Sequence, residues 1–482
     1  MTMHSPISAL PSPIAEDPAV KAHVDALVAA ATAAQAGITG ARPADPAMAE
    51  SFADAMARTA AVRGRGPIMP YLGTGLGNGP LVQLADGSVK WDMLNGIGVH
   101  MFGHGDPRML RAAVRAGLSD LCMQGNLTSN ADSVAFAELL VQEAARTSGI
   151  AHCFVSNSGC MVNEAALKIC MQKTGGAPRV IAFQDCFMGR SITMTQIGDS
   201  AAYRQGIPLS TLVDYMPFYD PALGHRSIEM AVWHLKQYVH RYPGQHACFV
   251  MELVQGEGGF NVAPREFFMA LIEVCRAAKI PVWDDEVQTF GRTERMFCFE
   301  ALDLGGHVDV VTIGKMSQAC ACLYTADMNP KPGLISGTFT ASTSAFAVGG
   351  EALRTMRDGG YYGPDGRNAR LHAAFREHAG RLVERHPEWF PAVKDAFGRE
   401  SRSFVGGTGG MCRLTPFGGD KDRIMRFLNT LFAEGVMAFY CGHGPYHVRM
   451  LPPVGVMQPE QWVPVFEIVE RAMAKSCDAG GA

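Results

Sequence analysis

Short apolar runs alternating with longer amphipathic stretches divide the chain into the strands and helices of an α/β protein. Apolar runs bounded by glycine or polar residues predict strands at 151–155, 180–183, 249–254, 280–287 and 308–314. A helix follows the first of these and runs through Lys173, stopped by Gly175 and Gly176. Residues 81–91 alternate around Asp86-Gly87, a hairpin signal. Upstream, residues 1–18 are rich in Pro, Ser and Ala and read as a tail. Alanine-rich helices are expected at 19–35 and 46–62, joined by a linker at 37–43. After residue 345 the pattern changes, with helices at 347–357, 367–384, 420–434 and 459–475 and strands around 403–414 and 436–440. The expected organisation is a helical leader (1–65), the N-terminal part of a small domain (66–100), a large domain (101–345) and the C-terminal part of the small domain (346–482).

The glycine-rich stretch 73–79 lacks a preceding strand and a following helix, and Pro80 comes directly after it. It reads as a flexible loop, and the dinucleotide-binding alternative is rejected. A chain of 482 residues, 48% hydrophobic and 18% charged, is of ordinary globular composition and long enough for two domains. Its net charge of −4 gives no case for nucleic acid or an anionic membrane as partner. Thirteen cysteines without CxxC or zinc spacing read as small hydrophobes in a reducing compartment. The first residues lack a signal peptide, and no apolar run reaches the roughly 18 residues of a membrane span. A cytoplasmic protein is expected.

Chemistry concentrates at two strand ends. The run at 280–287 turns acidic only at its end, with Asp284, Asp285 and Glu286, and the run at 308–314 delivers Lys315. In parallel sheets the C-terminal ends of strands meet ligands. A carboxylate that keeps a heteroaromatic nitrogen protonated, together with an amine able to bond an aldehyde, is what pyridoxal phosphate (PLP) chemistry requires. A lone lysine is ordinarily a solvated charge, but one that directly follows an apolar strand and a glycine is not placed like one. The acidic trio alone would suggest a metal or a surface, yet no histidine or further carboxylate is spaced to complete a metal shell, so no metal is expected. The first strand runs into Ser156-Asn157-Ser158-Gly159-Cys160 and a helix start, an anion-binding arrangement in which Ser158 also reads as an N-cap. Taken singly, Phe187 reads as core, and Glu257 and Arg449 as solvated charges.

The segment from Asp285 to Thr293, D-E-V-Q-T-F-G-R-T, and that from Val308 to Lys315, V-D-V-V-T-I-G-K, together resemble the signature of class III PLP-dependent aminotransferases. This is the ornithine, acetylornithine and 4-aminobutyrate aminotransferase group, and the similarity runs from about residue 91 to about residue 453. The resemblance implies a fold-type I PLP-dependent transferase: a large domain around a mostly parallel, seven-stranded sheet, with a smaller α+β domain. It implies that Lys315 anchors the cofactor and carries protons, that Asp285 holds the ring nitrogen, and that Val287 and Phe187 pack on the two ring faces. Gln288 would bond the phenolic oxygen, while Ser158, Gly159 and Cys160 would cup the phosphate. Thr338 would reach the phosphate of a neighbouring subunit, implying a homodimer with shared active sites. Arg190 would grip a substrate carboxylate, and Glu257 would pair with Arg449 and release it to glutamate.

The implied substrates are therefore an amine or amino acid and a 2-oxo acid, with glutamate and 2-oxoglutarate as one pair. The turn Gly103-His104-Gly105-Asp106-Pro107 resembles the family's approach to the first large-domain helix, and Ile97 stands where relatives acting on charged amines place a tyrosine. Met161, Met188 and Thr340-Ala341-Ser342 depart from the family pattern, so the amino donor is not named. A racemase, aminomutase, decarboxylase or lyase on the same scaffold is the nearest alternative, because all share one electron sink. An inactive PLP-binding regulatory protein is the alternative from another class.

Overall fold

The computed structural model describes residues 13–119, 123–125, 127–394 and 398–478. The chain divides into two compact units, Met1–Ala22 with Ala112–Pro364 and His23–Arg111 with Asp365–Ala482. The expected N-terminal tail lies mostly outside the described residues. No helix among them is long and apolar enough to cross a membrane.

The first unit is built on seven strands: β1 (Ile150–Ser156), β2 (Arg179–Phe183), β3 (Leu212–Met216), β4 (His246–Met251), β5 (Val282–Glu286), β6 (Val310–Ile313) and β7 (Cys320–Thr325). Their order in the sheet is β1-β7-β6-β5-β4-β2-β3. Strand β7 is antiparallel to both its neighbours, and the other pairs are parallel. Helices cover both faces of such a sheet, so its central strands read as unbroken apolar runs. Every residue of β4 is buried, as is every residue of β6.

On one face the helix Gly159–Lys173 packs Val162, Ala166, Ile169 and Cys170 into a core with Val180, Cys248, Val250 and Trp283. The Trp283 indole N–H donates to Thr312 Oγ1 at 3.0 Å, so this polar atom is buried at no cost in hydrogen bonding. On the other face, the helix Arg265–Ala277 buries Phe267, Phe268, Leu271, Ile272 and Cys275, spaced by three and four residues along one side. Phe267 and Phe268 meet Phe183 with ring centroids 5.6 and 6.4 Å away, and Phe183 in turn meets Phe249 at 5.3 Å. The helix Thr343–Asp358 also belongs to this unit, although the sequence pattern changes near residue 345. Phe346 packs on Phe136 at 5.6 Å, and a Cβ at Gly349 would lie only 2.3 Å from the Ser317 carbonyl oxygen.

The second unit carries two four-stranded sheets. One joins Gly73–Asn78, Leu81–Leu84, Val89–Asp92 and Val436–Met437. The other is antiparallel throughout and joins Val405–Thr408, Met411–Leu414, His447–Met450 and Phe439–Cys441. Helices Arg367–Arg385, Lys421–Glu434 and Trp462–Asp478 complete it, with the Trp462 indole donating to the Leu371 carbonyl at 3.1 Å. The stretch 73–79 is not the expected loop: Gly73–Asn78 is a strand paired with Leu81–Leu84. Its Gly77 answers to close neighbours, since a Cβ there would lie 2.3 Å from His104 Cβ and 2.5 Å from the Leu81 oxygen. The strand expected at 436–440 splits at Ala438 between the two sheets.

Candidate active site

Strands β5 and β6 run parallel with Asp285 opposite Thr312, so both end on one rim of the sheet. Asp285 is buried and turned towards the helix Gly159–Lys173. Its Oδ2 accepts a hydrogen bond from the Asn163 amide at 2.7 Å, and its Oδ1 accepts from the Val287 N–H at 2.9 Å. Asn163 is held in turn by donating to the Met188 carbonyl at 2.8 Å. Burial pushes the Asp285 carboxyl up to about 6, while the Val287 N–H, the Asn163 amide and the nearby Lys315 charge favour its ionised form.

Lys315 opens the turn beyond β6 with φ of +56°, a conformation that costs a non-glycine residue about 1 kcal/mol or more. Its backbone N–H is bound by Cys320 Sγ at the start of β7. The preceding glycine is a steric requirement, because a Cβ at Gly314 would lie 3.0 Å from Cys320 Sγ and 3.3 Å from Val287 Cγ1. The same logic applies at Gly159, where a Cβ would approach Val287 Cγ1 to 2.9 Å. Val287 is thus wedged between the helix start and the lysine turn.

One cavity of about 240 Å³ brings together Gly159, Cys160, Phe187, Arg190, Asp285, Val287, Gln288 and Lys315. Ser158 caps the helix at its margin, its Oγ accepting from the Met161 N–H at 3.3 Å. Cys160 Sγ accepts from the Ser191 N–H at 3.0 Å, and the Ser191 hydroxyl donates to Glu164. Gln288 is buried, and its Oε1 has no hydrogen-bond partner among the described residues. A buried amide oxygen left over inside a cavity fits a polar group on a bound ligand.

Arg190 is exposed, with its guanidinium 3.9 Å from the centre of the Tyr203 ring and 5.5 Å from that of Phe187. Glu257 accepts from the Tyr203 hydroxyl at 3.5 Å. Thr338 is exposed on the chain before the helix Thr343–Asp358, its carbonyl oxygen packed on Gly125. Arg449 belongs to the second unit, buried on the strand His447–Met450 with its guanidinium 5.6 Å from the Phe439 ring.

The structure adds functional neighbours that the sequence reading left without a role. Glu252 accepts from the Phe187 N–H and from the Gly256 N–H, each at 3.0 Å, and so ties the two loops that flank the cavity. Burial and then the nearby Asp285 charge push the Glu252 carboxyl up to about 8, against the pull of those two N–H groups. Asn163 matters as the orienting donor to Asp285.

Residues 70–473 match the family model described as aminotransferase class-III. The chain belongs to the class-III aminotransferases. It is 32% identical over 248 residues to an acetylornithine aminotransferase of Methanocaldococcus jannaschii, a match spanning 50% of this chain and 56% of that enzyme. It is 27% identical over 392 residues to a diaminobutyrate–2-oxoglutarate transaminase of Streptomyces avermitilis, spanning 78% of this chain and 87% of that one. In fold it resembles a Bacillus anthracis aminotransferase with a TM-score of 0.77 at 19% identity, covering 89% of this chain and 99% of that chain. The expected α/β class with a large, mostly parallel sheet is therefore what the protein has. PLP is the cofactor of this family, and the residues present fit it: a lysine, a buried carboxylate and an orphaned amide oxygen share one cavity at a helix start.

Proposed function

We propose that this aminotransferase passes an amino group between an amine or amino acid donor and a 2-oxo acid, with glutamate and 2-oxoglutarate as one of its pairs. The observation that carries the reading is the meeting of Lys315, Asp285 and Arg190 in one cavity. They supply a proton carrier, a buried anion and a cation suited to a carboxylate. The bound cofactor contributes an electron sink for the pair left when the substrate Cα–H bond breaks.

The chain's own residues do the rest. Lys315 would anchor the cofactor through its Nζ, and that amine, once free, would take the proton that leaves the substrate Cα. Asp285 accepts the ring N–H; a cationic partner there keeps its carboxylate ionised, against the direction in which burial pushes it. Val287 and Phe187 hold the ring between them, and Gln288 orients it through the phenolic oxygen. Ser158, Gly159 and Cys160 direct helix-start N–H groups at the phosphate. Arg190 meets a substrate carboxylate with its bidentate fork, a geometry lysine lacks. Glu257 and Arg449 exchange partners as an amine donor gives way to glutamate. Thr338 reaches the phosphate of a partner subunit, which makes the working form a homodimer, and the setting is the cytoplasm.

The test is turnover of glutamate to 2-oxoglutarate by the wild type and by Arg449→Ala. A large rise in KM for glutamate in the variant is expected, and unchanged turnover would contradict the exchange. Racemisation or elimination without any keto product would instead favour the non-transaminating chemistries on the same scaffold.

A further inference from the structure

We infer that Tyr203 is a positioning residue of the substrate site, its ring carrying the Arg190 guanidinium and its hydroxyl engaging Glu257. One side chain then fixes where the substrate-facing cation and the substrate-facing carboxylate stand. The inference rests on the reading of Arg190 as the carboxylate-binding residue and goes beyond it to what aims that residue.

Tyr203 lies on the four-residue helix Ala201–Arg204 and is half-buried. The Arg190 guanidinium sits 3.9 Å from its ring centre, well inside the distance at which a cation and an aromatic face attract. The ring also meets Phe187 edge-on, with centroids 5.7 Å apart at 85°. Its hydroxyl donates to Glu257 Oε2 at 3.5 Å. Three side chains assigned to cofactor or substrate therefore converge on one tyrosine.

The tyrosine is itself anchored. Arg204, the next residue, donates to Asp199 Oδ1 at 3.2 Å and to the Gly198 carbonyl at 3.3 Å. Asp199 also accepts from the Asp185 N–H at 3.1 Å. Asp185 packs on the loop that carries Glu257, since a Cβ at Gly258 would lie 2.8 Å from the Asp185 oxygen. The ring is thus fastened to the frame that holds Phe187 and Glu257.

An exposed arginine loses considerable rotamer freedom when it is ordered. Held over a ring face, it is ordered before substrate arrives, with its fork available to a carboxylate. The ring should therefore set affinity for the carboxylate substrate more than it sets the rate of proton transfer.

The experiment is steady-state kinetics of the PLP-loaded enzyme with 2-oxoglutarate as the varied substrate, for wild type, Tyr203→Leu, Tyr203→Phe and Arg190→Lys. Tyr203→Leu should raise KM roughly five- to tenfold with kcat within about twofold. Tyr203→Phe, which keeps the ring, should restore KM to near the wild-type value. All variants should retain the visible absorption of bound cofactor, which a general loss of structure would remove. If Arg190→Lys raises KM but Tyr203→Leu does not, the role of Tyr203 is overturned and the reading of Arg190 stands. A Tyr203→Phe variant as impaired as Tyr203→Leu overturns the stacking role. If Arg190→Lys leaves KM unchanged, the carboxylate reading fails and the inference fails with it.

Discussion

Asp285 and its neighbours Asp284 and Glu286 stand on opposite faces of strand β5, and all three are buried. Asp285 accepts two hydrogen bonds and opens onto a cavity that also holds Lys315. Glu286 accepts from the Cys298 and Phe299 N–H groups at 2.7 and 2.9 Å and from the Thr289 hydroxyl at 3.2 Å. Neither Asp284 carboxyl oxygen meets a donor among the described residues, and burial, then Glu286, push its carboxyl well above the usual range. Burial pushes Glu286 up to about 7. Two carboxyls facing each other in a dry interior are stable only while they keep a proton. Residue type and burial are alike on the two faces. The role follows from whether a carboxylate looks at a cation or at another acid.

The sharpest way to break this contrast is to neutralise each face in turn. Asp285→Asn should lower kcat by about 10²-fold or more, because the ring nitrogen loses its anionic partner. Asp284→Asn should leave kcat within about threefold, since the amide replaces an acid that is already neutral. Equal losses in the two variants, measured with saturating substrates, would erase the distinction between the faces.

A smaller effect sharpens the same contrast through stability. Asp284 and Glu286 have folded-state pKa values above their unfolded ones, so the folded state binds more protons. Their contribution is complete below about pH 4 and is lost as pH rises, through about 7 for Glu286, with Asp284 likewise held above the usual carboxyl range by burial and by Glu286. Among the described residues, the ionisable groups bearing on the pair include Asp285, Glu300, the Cys298 thiol and the Tyr362 phenol, none of them a cation. The wild-type melting temperature should therefore fall between pH 6 and 9 by about a few degrees more than that of Asp284→Asn. Parallel curves would show that the pair does not share a proton.

Much of the first unit was legible in the sequence because parallel strands buried on both faces announce themselves as apolar runs. Two such runs end in Asp285 and Lys315, and the rim they share follows from the parallel pairing. Tyr203 was not legible, since it reaches Arg190 from a four-residue helix with no local pattern of its own. Nor was the strand at Gly73–Asn78, where Gly77 answers to His104 and Leu81 rather than to a turn. The attachment of the helix Thr343–Asp358 depends on Phe136 and Ser317, both far away in sequence. Periodicity reports what a segment buries, not which partner it is buried against.

The central claim is that Lys315 and Asp285 work one cofactor for amino transfer, and the visible absorption spectrum tests it most directly. Wild-type protein loaded with PLP should show a visible band that glutamate bleaches and 2-oxoglutarate restores. Lys315→Ala should bind the cofactor without completing that cycle, slowed by at least about 10³-fold. A Lys315→Ala protein that bleaches and recovers at the wild-type rate would contradict the account.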